Sequence, residues 1–142
     1  MSTTHASRSF GIAAARPQPK ALAVVAWITT GLFAAAMTVS GVAYVVGAKA
    51  VLDGIRQLGY PDYFLRLLGV AKLLGVVGLF VPQPRVREWA YAGFTFDLVA
   101  AIASHLLTGT AAHAPAAATA LALMLVSYTL RHRMTAGKVE RP

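Results

Sequence analysis

The sequence predicts an all-α polytopic membrane protein, an antiparallel four-helix transmembrane bundle, and three observations carry that expectation. Of the 142 residues, 57% are hydrophobic and only 13% are Asp, Glu, Lys or Arg, about half the charge density of a soluble domain. The apolar residues gather into four runs, each long enough, or nearly so, to cross the roughly 30 Å of a bilayer's hydrocarbon core. The charges collect at the ends of those runs and not on a common patch, which is a bilayer pattern and argues against nucleic acid as the partner of a chain with net charge +8. The expected partner is the lipid bilayer itself.

The first span is expected over about residues 21–46, a stretch with no ionisable side chain in which Thr29, Thr30, Thr38 and Ser40 can bond back to helix carbonyls. A cleaved signal peptide is the competing reading, but the run far exceeds the roughly 7–15 apolar residues of a signal sequence. The second, about 64–81, opens after the turn Gly59-Tyr60-Pro61-Asp62 and is closed by Pro82-Gln83-Pro84. The third, about 89–108, starts at the aromatic pair Trp89 and Tyr91, placed at the membrane interface, and stops at Gly109. The fourth, about 114–130, has Pro115 in its first turn, where a missing N–H costs nothing. Residues 1–20 form a leader and 131–142 a basic tail, both without apolar periodicity and expected to be disordered and cytoplasmic. The segment 47–63 fits equally an amphipathic helix lying on the interface or an ordinary loop.

Counting bases gives the orientation. Arg8, Arg16, Lys20, Arg85, Arg87, Arg131, Arg133, Lys138 and Arg141 fall on one side, against Lys49, Arg56 and Arg66 on the other. The positive-inside rule places both termini in the cytoplasm.

Two ionisable residues lie inside the predicted hydrocarbon, Lys72 and Asp97, and an intramembrane charge is a functional candidate by default. Lys72 lies about 15 Å above the Pro82 end of its helix and Asp97 about 12 Å above the start of the next. Antiparallel neighbours would bring the two together, either to fix helix register or to take part in ligand binding or proton movement. Asp97, Ala101, Ser104 and His105 follow i, i+4, i+7, i+8 spacing and form one stripe. His105 is a candidate for an interhelical hydrogen bond, a quinone contact or a proton relay. Glu88 reads as an anchor at a helix N-terminus. With no cysteine, with the eight-residue spacing of His105 and His113 too long for i, i+4 ligands on one helix face, and with His113 falling in a loop, neither a metal nor a haem site assembles. Glycine-rich phosphate loops, nucleophile elbows and HExxH motifs are absent.

The run Leu68-Gly69-Val70-Ala71-Lys72-Leu73-Leu74-Gly75, then Pro82, Arg87-Glu88-Trp89-Ala90-Tyr91-Ala92-Gly93, Phe96-Asp97, Ala101 and Ser104-His105 resembles the DoxX-like family of small bacterial membrane proteins. Gly59-Tyr60-Pro61 is similar to the family's short element before its second helix. The resemblance implies a four-helix protein of the bacterial cytoplasmic membrane, with Lys72, Glu88, Trp89, Tyr91, Gly93, Asp97, Ser104 and His105 as its positions of interest. The family takes its name from a subunit associated with a thiosulfate:quinone oxidoreductase. The expectation is therefore a noncatalytic or accessory component of a membrane redox or respiratory assembly, partnered by its subunits or by a second copy, with no cofactor of its own. The alternatives are a quinone-linked subunit using Lys72, Asp97 and His105, and a small proton-coupled transporter. Thiol chemistry is excluded by the missing cysteines.

Overall fold

The computed structural model describes residues 20–139. All regular structure there is helical: α1 (Lys20–Val46), α2 (Lys49–Gln57), α3 (Asp62–Phe80), α4 (Pro84–Leu107), a 3₁₀ turn (Ala111–His113) and α5 (Ala114–Val139). Four of these helices are long and apolar enough to cross a membrane.

Helix ends follow from local chemistry. At the end of α1, Gly47 adopts φ +67°, donates to the Tyr44 carbonyl, and is followed by Ala48 donating to the Ala43 carbonyl. Gly59, φ +81°, repeats the arrangement after α2, with Tyr60 donating to Ile55. Both are Schellman closures, and both need a residue that tolerates positive φ. Pro82 and Pro84 force Val81 and Gln83 into extended backbone, so α3 stops and α4 restarts within three residues.

The four long helices form an antiparallel ring in the order α1, α3, α4, α5, each packed on its two neighbours. The centre is filled by Phe33 and Met37 of α1, Leu79 of α3, Tyr91, Phe94 and Leu98 of α4, and Met124 of α5. Phe33 and Phe94 meet edge to face across the ring, centroids 5.0 Å apart. Outward-facing Leu74, Val39, Phe96 and Leu107 are equally apolar, because the solvent on that side is lipid and only the narrow central stripe is protein. Close approach is built from small residues. A Cβ on Gly69 would stand 2.8 Å from the Gly41 carbonyl oxygen, the Tyr44 Cβ and the Val45 nitrogen, so α1 and α3 touch nearly backbone to backbone.

Of the two readings of segment 47–63 the structure shows the helix, α2, whose Ile55 is buried against the bundle. Other expectations are corrected. The third spanning helix starts at Pro84 and not near residue 89, so Arg85 and Arg87 lie on its first turns and the connection shrinks to residues 81–83. Helix α5 continues through the start of the expected disordered tail as far as Val139; its run of good helix formers has no breaker at residue 130. The leader before Lys20 and residues 140–142 lie outside the described residues.

Candidate functional site

The site lies between α3 and α4, at mid-depth. Lys72 is 7% exposed, and its Nζ donates to the Asp97 carboxylate in a salt bridge joining the two helices. The helices are antiparallel neighbours because the connection between them is so short, and that turn puts the two residues at one level. The Tyr44 ring of α1 lies 5.5 Å from the ammonium, a cation–π contact that compensates part of the lost hydration. Pairing is the physical requirement here: an isolated charge at the centre of a spanning helix costs about 2.5–3.5 kcal/mol on insertion scales.

Two cavities adjoin the pair. One, of about 190 Å³, opens between α3 and α4 and is walled by Leu68, Ala71, Gly75, Trp89, Gly93 and Phe94, with Lys72 and Asp97 at its back. Gly93 has nothing within 4 Å of where a Cβ would stand, so its missing side chain is part of the opening. The second, of about 110 Å³, lies toward α2 beneath Ile55, Leu58 and Tyr60 and is bordered by Ala101, Ser104 and His105. The stripe Asp97, Ala101, Ser104, His105 thus lines one space. Ser104 shares a 2.9 Å hydrogen bond with the Tyr60 hydroxyl, and His105 Nδ1 lies 2.9 Å from the Thr110 hydroxyl.

The remaining expected residues are distributed differently. Trp89 is 81% exposed on the lipid side, whereas Tyr91 is 4% exposed and belongs to the core, not to the interface. Its place two residues along the helix turns it about 200° away from Trp89. Glu88 is four residues past the start of α4, beyond the first turn where a carboxylate meets the helix dipole. It lies instead beside Tyr128 of α5. His113, assigned to a loop by its sequence, sits in the 3₁₀ turn, which folds its ring back to 5.7 Å from that of His105. Among the described residues no three His, Asp or Glu side chains gather as metal ligands.

Sequence reasoning missed a buried chain of hydroxyls at the opposite end of the bundle. Tyr91 and Ser127 share a 3.0 Å hydrogen bond, Ser127 and Thr30 one of 2.7 Å, and Thr30 donates to the Ala26 carbonyl. These link α4, α5 and α1. Arg131 completes that end, its guanidinium 4.5 Å above the Trp27 ring. Hydroxyls inside apolar runs were the available signal, but nothing in spacing says which helices they would bridge.

The arrangement can offer hydrogen-bond donors to a group entering either cavity, and it ties α3 to α4. No curated protein and no solved structure matches the chain. The family model described as the DoxX-like family matches residues 28–127, which include α2, α3, α4, the buried pair and part of both α1 and α5, and the chain therefore belongs to the DoxX-like family.

Proposed function

We propose that this DoxX-like membrane protein is an accessory, noncatalytic component of a redox or respiratory assembly in the bacterial cytoplasmic membrane, with both termini cytoplasmic. The observation that carries the accessory reading is the way the bundle spends its interior polarity. Lys72 and Asp97 neutralise one another, the hydroxyls of Thr30, Tyr91 and Ser127 satisfy one another, and no buried side-chain nitrogen or oxygen among the described residues lacks a partner. Such polarity holds helices in register. Redox assemblies enter through the family alone.

A second reading, a quinone-linked subunit, is favoured by the cleft between α3 and α4. Apolar walls with a cationic donor at the back suit a flat ring carrying a carbonyl.

Native mass spectrometry after purification from its own membrane in mild detergent separates the two. Co-purification with a protein that carries a flavin, haem or iron–sulfur group is the expected result. A retained quinone without any protein partner transfers support to the second reading, and a lone chain with lipid only defeats both.

Orientation has its own check. The chain contains no cysteine, so single cysteines at Ser7, Thr110 and Thr135 can be probed in intact cells with an impermeant thiol reagent. Position 110 should react and the other two should not; labelling at 7 or 135 reverses the assignment.

A further inference from the structure

We propose that water reaches the Lys72–Asp97 pair from the α2 end of the bundle alone, through a passage beneath α2. The inference rests on the chain spanning a membrane and is independent of any redox role.

The passage runs through two adjacent cavities. The inner one, bordered by Lys72 and Asp97, has a volume of about 110 Å³, room for roughly three waters at about 30 Å³ each. It shares Tyr44, Ile55, Leu58 and His105 with an outer cavity of about 510 Å³ under α2 and the 3₁₀ turn. Polar groups mark the route throughout: Asp53 and His113 line the outer cavity, His105 stands at the junction, and Tyr60 and Ser104 line the inner one. A buried water needs two to four such partners, and these supply them.

The other directions are apolar. On the far side of the pair the Phe94 ring packs on Gly75, where an added Cβ would meet it at 2.8 Å, and Phe33 and Leu79 are fully buried. The cleft beside Trp89 has apolar walls and faces lipid.

Helix α2 covers the passage, with its Ile55 lining both cavities. Glycines with positive φ flank it on both sides, and its link to α3 is an exposed salt bridge, Arg56 Nε and Nη2 donating to the two Asp62 oxygens at 2.8 and 2.5 Å. An exposed pair of this kind holds weakly.

The test uses single cysteines in the full-length chain and a small, charged, membrane-impermeant methanethiosulfonate, which reacts with thiolate and so reports water at the sulfur. Ala101→Cys lines the inner cavity; Val99→Cys, on the lipid-exposed face two residues away, is its control; Thr110→Cys marks the α2 end. Ala101→Cys should react from whichever side labels Thr110→Cys, and at least about tenfold faster than Val99→Cys. Adding Gly54→Trp, at a position that lines the outer cavity and has open space around it, should slow labelling at 101 by about tenfold and labelling at 110, which lines the same cavity at its outer end, by much less. A single symmetric elution peak in detergent and an unaltered melting temperature show that this variant has folded. The proposal is overturned by reactivity at 101 no greater than at 99 while 110 reacts, by labelling of 101 from the opposite side to 110, or by a Gly54→Trp variant that leaves both rates as they were. Labelling of 101 and 110 together from the cytoplasmic side would reverse the orientation and leave the passage standing.

Discussion

Asp97→Asn lowers the stability of the detergent-solubilised protein by about 3–5 kcal/mol, the usual consequence of leaving one partner of a buried pair uncompensated. The loss falls on Lys72, which retains a charge in a site where the Tyr44 ring faces it but the carboxylate is gone. Adding Lys72→Met removes that charge, fills its volume with an apolar chain, and should restore most of the stability. Thermal unfolding of the four members of the cycle measures the coupling. Purely additive effects would separate the two residues and require another partner for each. Full recovery of both folding and cellular phenotype in the double variant assigns the pair to helix register. A stable double variant that has lost quinone retention, or whose phenotype is lost, assigns it to function.

The second large effect belongs to a residue with no side chain. Gly69→Ala places a methyl 2.8 Å from two backbone atoms of α1, the Gly41 oxygen and the Val45 nitrogen, and backbone cannot step aside as a flexible side-chain tip would. Helices α1 and α3 must separate, at a cost of about 1–3 kcal/mol. Their separation also moves Tyr44 off the Lys72 ammonium. Gly31→Ala in the same α1 is the reference. Its added Cβ meets nothing within 4 Å, so gain of helix propensity leaves stability equal or raises it by about 0.5–1 kcal/mol. Equal melting temperatures for the two alanine variants would contradict the close approach of α1 and α3.

The stripe Asp97, Ala101, Ser104, His105 was readable because helical periodicity is a local property: residues four apart share a face whatever surrounds them. The partner of Asp97 was readable for the same kind of reason, since Pro82-Gln83-Pro84 leaves too little chain for anything except an antiparallel neighbour at matched depth. Tyr91 was misplaced because aromatic residues near a span's end populate interfaces and cores alike, and only the rotation of the helix decides between them. Glu88 was misread through a helix start set five residues too late: the prolines were taken as a loop when one of them begins α4.

The sequence by itself determined the solvent, the number of spans and the depth of the charged residues. Each depends on composition or on counting along one chain, and in lipid every span must satisfy its own backbone as a helix. The tertiary structure alone decided which faces meet. It set α1 between α3 and α5, drew Thr30 and Ser127 together from 97 residues apart, folded His113 back on His105, and laid α2 over the cavities beside the pair. In a bilayer the lipid-facing and protein-facing sides of a helix are both apolar, so hydrophobicity no longer marks the buried face. Glycine contacts, hydroxyl bonds and one salt bridge choose it instead, and those are fixed only when the helices are in place.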